Sequence, residues 1–346
     1  MVKRTDPYVP GEQDNRPDIV KLNTNENPYP PSTKVSAAIR EEMERNLQLY
    51  PSPTADDLRE TIGRQHGLTA EEVFVGNGSD EVLAFSFMAF FEPGQPIRFP
   101  DVTYSFYPVY AKLFDITYEE VPLNEDFTLP VEQFFHSEGG VILPNPNAPT
   151  SLYAELEHIE EIVKNNPNQV VIIDEAYIDF APKSAAALIR EYDNLLVVQT
   201  TSKSRSLAGL RVGFAIGNRS LIDALIRIKD SFNSYTLDRL ALVGAKAAFE
   251  DEVYFKETTQ QIIATREKVS GTLGQLGFNV LPSQANFVFA SHETVSAESL
   301  YDELKKEGIL VRYFNKPGID NYLRITIGTD EQMERLFGKL NEILTV

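Results

Sequence analysis

From about residue 70 the chain alternates short β-rich apolar runs with stretches of helical periodicity. The runs are VFV at 73–75, IRF at 97–99, VIL at 141–143, VVII at 170–173, LLVV at 195–198 and VGFAI at 212–216. Several are apolar without interruption, the pattern of strands covered on both faces. Helical patterns lie between them. One covers 79–91, with Ser79 placed as its N-cap, and another covers 155–164, with Leu156, Ile159, Ile162 and Val163 inward. A third starts at Asn218 and turns Leu221, Ile222, Leu225 and Ile226 to the core. Such alternation predicts an α/β fold built on a mostly parallel, doubly wound sheet.

Past about residue 235 the texture changes. A long helical stretch at 236–276 leads into shorter runs at 279–281, 286–290, 309–311 and 322–327. The last helix starts at Thr329, with Gln332 completing a capping box and Met333, Leu336, Phe337, Leu340 and Ile343 at helical spacing. These features predict a large domain over 30–240 and a smaller α+β C-terminal domain over 241–346. Residues 1–29, rich in proline, read as an extended segment able to cross between the lobes.

Composition narrows the function classes. Hydrophobic residues make up 42% of the 346, enough for a substantial core. The net charge of −19 argues against nucleic acid or an anionic membrane as a main partner. The absence of cysteine excludes disulfides, thiolate metal sites and cysteine catalysis, and suits a reducing compartment. The four histidines lack ligand spacing and read as exposed, so no metal is expected. The opening MVKRTDPYVPGEQ has no signal-like apolar stretch, and the most apolar window, VLAFSFMAFF, is about half the ~20 residues that span a bilayer. A cytoplasmic protein is the expectation.

Ligands of open α/β sheets bind beyond the carboxyl ends of the strands, so the polar groups that follow each run decide the chemistry. After VFV comes GNGSDE, whose glycines before a helix expose backbone N–H groups suited to a phosphate, or simply form a strand-to-helix turn. After VIL comes PNPNAPTS, with Asn145 and Asn147 held among three prolines. VVIID places Asp174 at the end of a strongly apolar strand, where a carboxylate needs a cation or N–H partner: a metal, an arginine or a protonated heterocycle. Tyr177 follows. In TTSKSRSLAGLR, Lys203 suits Schiff-base chemistry and Arg211 suits a phosphate, whereas Arg205 reads as a surface cation or one that reaches the phosphate. Together these groups make the protein half of a pyridoxal-phosphate site.

The ordered set GNGSDE, PNPNAPT, DEAYIDF and TTSKSRSLAGLRVGF resembles the fold-type-I pyridoxal-phosphate aminotransferases. More narrowly, KLNTNENPYPPS at 21–32, LYPSPTADDLR at 49–59 and YLRITIGT at 322–329 resemble histidinol-phosphate aminotransferases, over nearly the whole chain. The resemblance implies that Lys203 binds pyridoxal 5′-phosphate covalently and moves the substrate proton. Asp174 would pair with the ring nitrogen, Tyr177 would bond the phenolate oxygen and Tyr104 would stack on the ring. Ser79, Asp80, Thr200, Ser202 and Arg211 would hold the phosphate, and Tyr50 would reach it from the other subunit of a homodimer. Arg324, with Tyr8 nearby, would receive the anionic end of the substrate, and Arg312 either lines that pocket or makes an ion pair. The family's loop usually reads PNNPTG. Here Ala148 stands where its second asparagine commonly sits and Ser151 replaces glycine, so Asn147 takes the cofactor contact or the loop has drifted and that contact is weaker.

The implied reaction is amino transfer between L-histidinol phosphate and 2-oxoglutarate. An aromatic amino-acid aminotransferase and a threonine-phosphate decarboxylase are alternatives on the same fold, and a non-catalytic cofactor-binding domain is one of another class.

Overall fold

The computed structural model of the protein describes residues 11, 12, 16 and 18–345. A short strand, β1 (Val20–Lys21), precedes helices α1 (Thr33–Arg45) and α2 (Asp56–His66). The large domain continues with β2 (Val73–Asn77), α3 (Gly78–Phe90), β3 (Ile97–Pro100), α4 (Phe106–Phe114), β4 (Tyr118–Val121), β5 (Val141–Pro144), α5 (Leu156–Lys164), β6 (Val171–Asp174), β7 (Leu195–Thr200) and β8 (Val212–Gly217). Helices α6 (Arg219–Phe232), α7 (Arg239–Glu250) and α8 (Glu252–Gln275) lead to β9 (Phe278–Val280), β10 (Phe287–His292), α9 (Ala297–Lys306), β11 (Ile309–Leu310), β12 (Arg312–Tyr313), β13 (Leu323–Thr326) and α10 (Asp330–Leu344).

Seven strands form the central sheet in the order β2-β8-β7-β6-β5-β3-β4. All neighbours are parallel except around β8, which runs antiparallel to both β2 and β7. The uninterrupted apolar runs are explained by the two cores they feed. Val73, Val75, Ile173, Leu195 and Val197 face one core with α2, α5 and α7. Phe74, Ile172, Leu196 and Val198, the alternate positions, face the other with α3, α4 and α6.

The smaller sheet is antiparallel, β12-β13-β10-β9, and a third core joins it to α8, α9 and α10. Beside it β1 pairs in parallel with β11, so the N-terminal segment contributes a strand to the small domain.

Two expectations need adjustment. The helical stretch at 236–276 is two helices, broken at Asp251, whose carboxylate accepts from Lys34 Nζ at 2.9 Å. Helix α7 packs Ala241, Ala245 and Phe249 into the large-domain core, and α8 turns Ile262, Val269 and Leu273 to the core of the smaller sheet. Ser79 is not an N-cap, because α3 already begins at Gly78, where φ is +78°. Glu81 closes that turn instead by accepting from the Asn77 backbone N–H at 2.6 Å. The caps at Asn218 and Thr329, with the Gln332 box, are as expected. Among the described residues no helix is long and apolar enough to cross a membrane.

Candidate active site

The carboxyl ends of β6 and β7 and the turn from β2 into α3 open into one cavity, closed from the other side by β12, β13 and the segment 23–25. It gathers Ser79, Asp80, Tyr104, Asp174, Tyr177, Thr200, Ser202, Lys203, Arg211 and Arg324. Arg312, left open by the sequence, lines it as well. Tyr8 lies outside the described residues.

Asp174 ends β6 with only 3% of its surface exposed. Its two hydrogen bonds come from neutral donors, the Tyr107 hydroxyl at 2.9 Å and the Ala176 backbone N–H at 3.3 Å. Burial pushes its pKa up to about 6, against the lowering effect of those bonds. A protonated ring nitrogen in the cavity would give this carboxylate the cation that burial makes it favour.

Lys203 faces the same space, and its Nζ donates to the Thr24 carbonyl at 3.2 Å. Burial, followed by the positive charge of Arg324, lowers its pKa to about 8. An amine so adjusted is a nucleophile and base near neutral pH. Asn27 holds the backbone here, its Nδ2 donating to the Lys203 carbonyl at 2.9 Å and the Ser204 carbonyl at 3.1 Å.

The phosphate end is built by close approach. Arg211 sits at φ 55° and its Nη2 pairs with Asp80 Oδ2 at 2.7 Å, while Tyr104 donates to the other oxygen of Asp80 at 2.8 Å. Asp80 is therefore turned onto Arg211 and Tyr104, leaving the first-turn backbone N–H groups for an anion. Glycines make this possible. A Cβ on Gly78 would meet the Arg211 guanidinium, and one on Gly213 of β8 would overlap the Ser79 nitrogen and the Gly78 carbonyl carbon. Gly213→Ala should cost about 1–3 kcal/mol of stability and loosen cofactor retention, read by thermal unfolding and by dialysis of the loaded protein.

At the opposite end, Arg312 and Arg324 stand at paired positions of β12 and β13. Arg324 lies 5.3 Å from the Phe287 ring centroid and 5.6 Å from that of Phe314, and donates to the Asn23 carbonyl at 2.9 Å. An adjoining cavity extends between the two arginines, Tyr104, Phe314 and Lys316.

Several expectations change here. Asn147 does not line the central cavity: its Nδ2 is spent on the Val102 carbonyl at 3.0 Å and the Thr150 hydroxyl at 2.9 Å, and Ala148 occupies the wall. Asn145 clasps the same loop through both backbone groups of Ala154. Ser151 takes the left-handed conformation, φ 66°, at the family's glycine position. Arg205 points away from the phosphate end, sandwiched at 4.0 Å between Phe249 and Phe255. His66 and His292 are half-buried rather than exposed, and His292 Nδ1 accepts from the Val295 N–H at 3.1 Å. Tyr50 is 79% exposed and stacks on Tyr235 at 4.7 Å, outside this chain's own cavity. Among the described residues no cluster of histidine and acidic side chains could hold a metal.

Sequence reasoning missed Tyr107, Gly213 and the asparagines at 23, 25 and 27. Only the alternation in NTNEN hinted at the last three, placing them at every second position of an extended segment.

Comparison with known proteins agrees with this geometry. Residues 17–340 match the family described as aminotransferase class I and II. The chain is 61% identical over 344 residues to histidinol-phosphate aminotransferase 1 of Oceanobacillus iheyensis, covering 99% of this chain and 97% of that one. To the histidinol-phosphate aminotransferase of Clostridium acetobutylicum it is 57% identical over 343 residues, with the same coverage. The crystal structure of a histidinol-phosphate aminotransferase from C. acetobutylicum superposes with a TM-score of 0.87 at 26% identity, over 94% of this chain and 99% of that one. The Sinorhizobium meliloti enzyme, solved with pyridoxal-5′-phosphate, shares the fold with a TM-score of 0.88 at 24% identity, over 95% and 92% of the two chains. Pyridoxal phosphate is the family cofactor, and the buried carboxylate, the lysine of lowered pKa and the glycine-lined anion turn fit it. This chain belongs to the class I and II aminotransferases.

Proposed function

We propose that the enzyme transfers the amino group of L-histidinol phosphate to 2-oxoglutarate. The observation that carries this is the separation of two anion sites. Arg211 would serve the cofactor phosphate at one end of the cavity, and Arg312 and Arg324 line the other end, where they suit the anionic group of a substrate. A guanidinium pair flanked by aromatic rings suits both the phosphate of one substrate and the carboxylate of the other. The names of the similar full-length relatives support the same reading.

When bound, pyridoxal phosphate supplies an electron sink for the pair left at the substrate Cα. The chain does the rest. Lys203 Nζ, kept basic and partly neutral by its surroundings, takes the Cα proton and returns it. Asp174 would hold a proton on the ring nitrogen, and Tyr107 and Ala176 fix its carboxylate for that task. Tyr177 would donate to the phenolate oxygen, Tyr104 would cover the ring, and Ser79, Thr200, Ser202 and Arg211 would retain the phosphate. Arg324 orients the substrate so that its Cα–H faces Lys203.

The active assembly in this proposal is a cytoplasmic homodimer. Tyr50 stacks on Tyr235, and both are exposed, as are Leu47 and Leu49 just before Tyr50 in the chain, apolar surface that suits burial against a second copy. From there Tyr50 would reach the neighbour's cofactor phosphate.

Arg324→Ala should lower kcat/KM for histidinol phosphate by about 100-fold or more, and unphosphorylated histidinol should be a poor substrate of the parent enzyme. Steady-state assays check both. Preference for tyrosine or phenylalanine would favour the aromatic aminotransferase, and carbon dioxide release from threonine phosphate would favour the decarboxylase.

A further inference from the structure

We propose that Asn25 is a positioning residue that sets the donor strength of Tyr177 toward the cofactor's phenolate oxygen. The proposal rests on the cofactor being held at Lys203.

Asn25 is 1% exposed and adopts φ 55°, a left-handed conformation that asparagine tolerates better than most residues. That turn directs the preceding Thr24 carbonyl at Lys203 Nζ and the Asn25 side chain at Tyr177. Its neighbours define which end of the amide faces where. The Thr326 hydroxyl accepts the Asn25 backbone N–H at 3.0 Å and donates to Asn25 Oδ1 at 3.0 Å. Nδ2 is thereby left to donate to the Tyr177 hydroxyl oxygen, 3.0 Å away. Asn286 Nδ2 anchors the Asn25 carbonyl at 3.0 Å. Every polar group of Asn25 is thus engaged, and only one of the engagements faces the cavity.

The chemical consequence falls on Tyr177. Its oxygen receives a hydrogen bond, so its own proton remains available to donate into the cavity. Accepting one bond strengthens a hydroxyl as donor of the next. Ala148 on the cavity wall has no side-chain amide, so it adds no side-chain donor beside Tyr177. The phenolate oxygen then depends on Tyr177, and Tyr177 on Asn25.

The test is a pH titration of the absorption of the lysine-bound cofactor in the holoenzyme. A donor at the phenolate oxygen draws off negative charge that otherwise retains the proton on the nitrogen linking Lys203 to the cofactor. Weakening the donor therefore raises the midpoint. Tyr177→Phe should raise it by about one pH unit and Asn25→Gly, which keeps the left-handed backbone, by about half a unit. The double variant should match Tyr177→Phe alone. Asn25→Asp preserves shape and the Thr326 bond while removing the donor, and it should also raise the midpoint. It decides the matter if the glycine variant does not fold. No shift in any Asn25 variant, or the same shift with and without the Tyr177 hydroxyl, would overturn the proposal. A midpoint unmoved by Tyr177→Phe would overturn both the proposal and the role of Tyr177. A parent enzyme without any lysine-bound band would overturn the cofactor reading beneath them.

Discussion

Lys203→Ala is expected to lower turnover by at least about 10⁴-fold and to abolish the lysine-bound absorption of the cofactor. The loss is large because one amine serves both as the covalent anchor and as the base at Cα. Stability should move the other way. The folded protein holds Lys203 at about 8, below its ordinary value of 10.5, so its protonated form is penalised by burial. The penalty is full below pH 8 and fades as pH rises toward 10.5, where the unfolded chain also loses the proton. Cofactor-free Lys203→Ala should therefore melt above the cofactor-free parent below pH 8, with the gap closing toward pH 10.5. Thermal unfolding across that range checks the sign. A variant that is inactive because it is unfolded would leave the parent with the higher melting temperature throughout.

Asp174→Asn should reduce kcat by about 10³-fold with the fold retained, because an amide can still accept from Tyr107 but cannot hold a proton on the ring nitrogen. Here too pH gives a second readout. Asp174 is raised from 3.8 to about 6 by burial, so its contribution to stability is present below about pH 3.8 and lost as pH rises through 6. Above pH 6 the cofactor-free parent carries a buried carboxylate that its own hydrogen bonds only partly compensate. The asparagine variant escapes that cost and should be the more stable of the two there, while retaining the cofactor less well. Dialysis of the loaded proteins above pH 6 measures retention, and equal retention would remove the ring-nitrogen role from Asp174.

What could be seen in the sequence follows from which contacts are local. The strands of the central sheet were legible because alternate residues of each, such as Ile172 and Ile173, feed opposite cores and leave an unbroken apolar run. Helix α1 was not, since it buries only Val35, and β4 reads YEEV because two of its four residues are exposed glutamates at the sheet edge. The pairing of β1 with β11 joins segments from opposite ends of the chain, and no local pattern announces it.

The same division runs through the site. Asp174 and Lys203 drew attention because a charged side chain just past an apolar strand needs a reason to be there, and Arg211 because it stands near a glycine-rich helix start. Tyr107 and Asn25 looked like any buried aromatic and any loop asparagine. Their roles come from partners 67 and 152 residues away, Asp174 and Tyr177. Asn147, read as a cofactor contact or as part of a drifted loop, was undecided for a related reason. The loop's spacing shows asparagines among prolines, but which side chain faces the cavity depends on where Val102 and Thr150 stand to receive it.

The central claim is that the amine of histidinol phosphate exchanges into the cofactor through Lys203. A single turnover tests it most directly: loaded enzyme mixed with histidinol phosphate, without 2-oxoglutarate, followed by absorption. The account predicts stoichiometric loss of the aldehyde-form band with the parent enzyme and none with Lys203→Ala. Retention of that band with histidinol phosphate, together with its loss on adding tyrosine or phenylalanine, would contradict it.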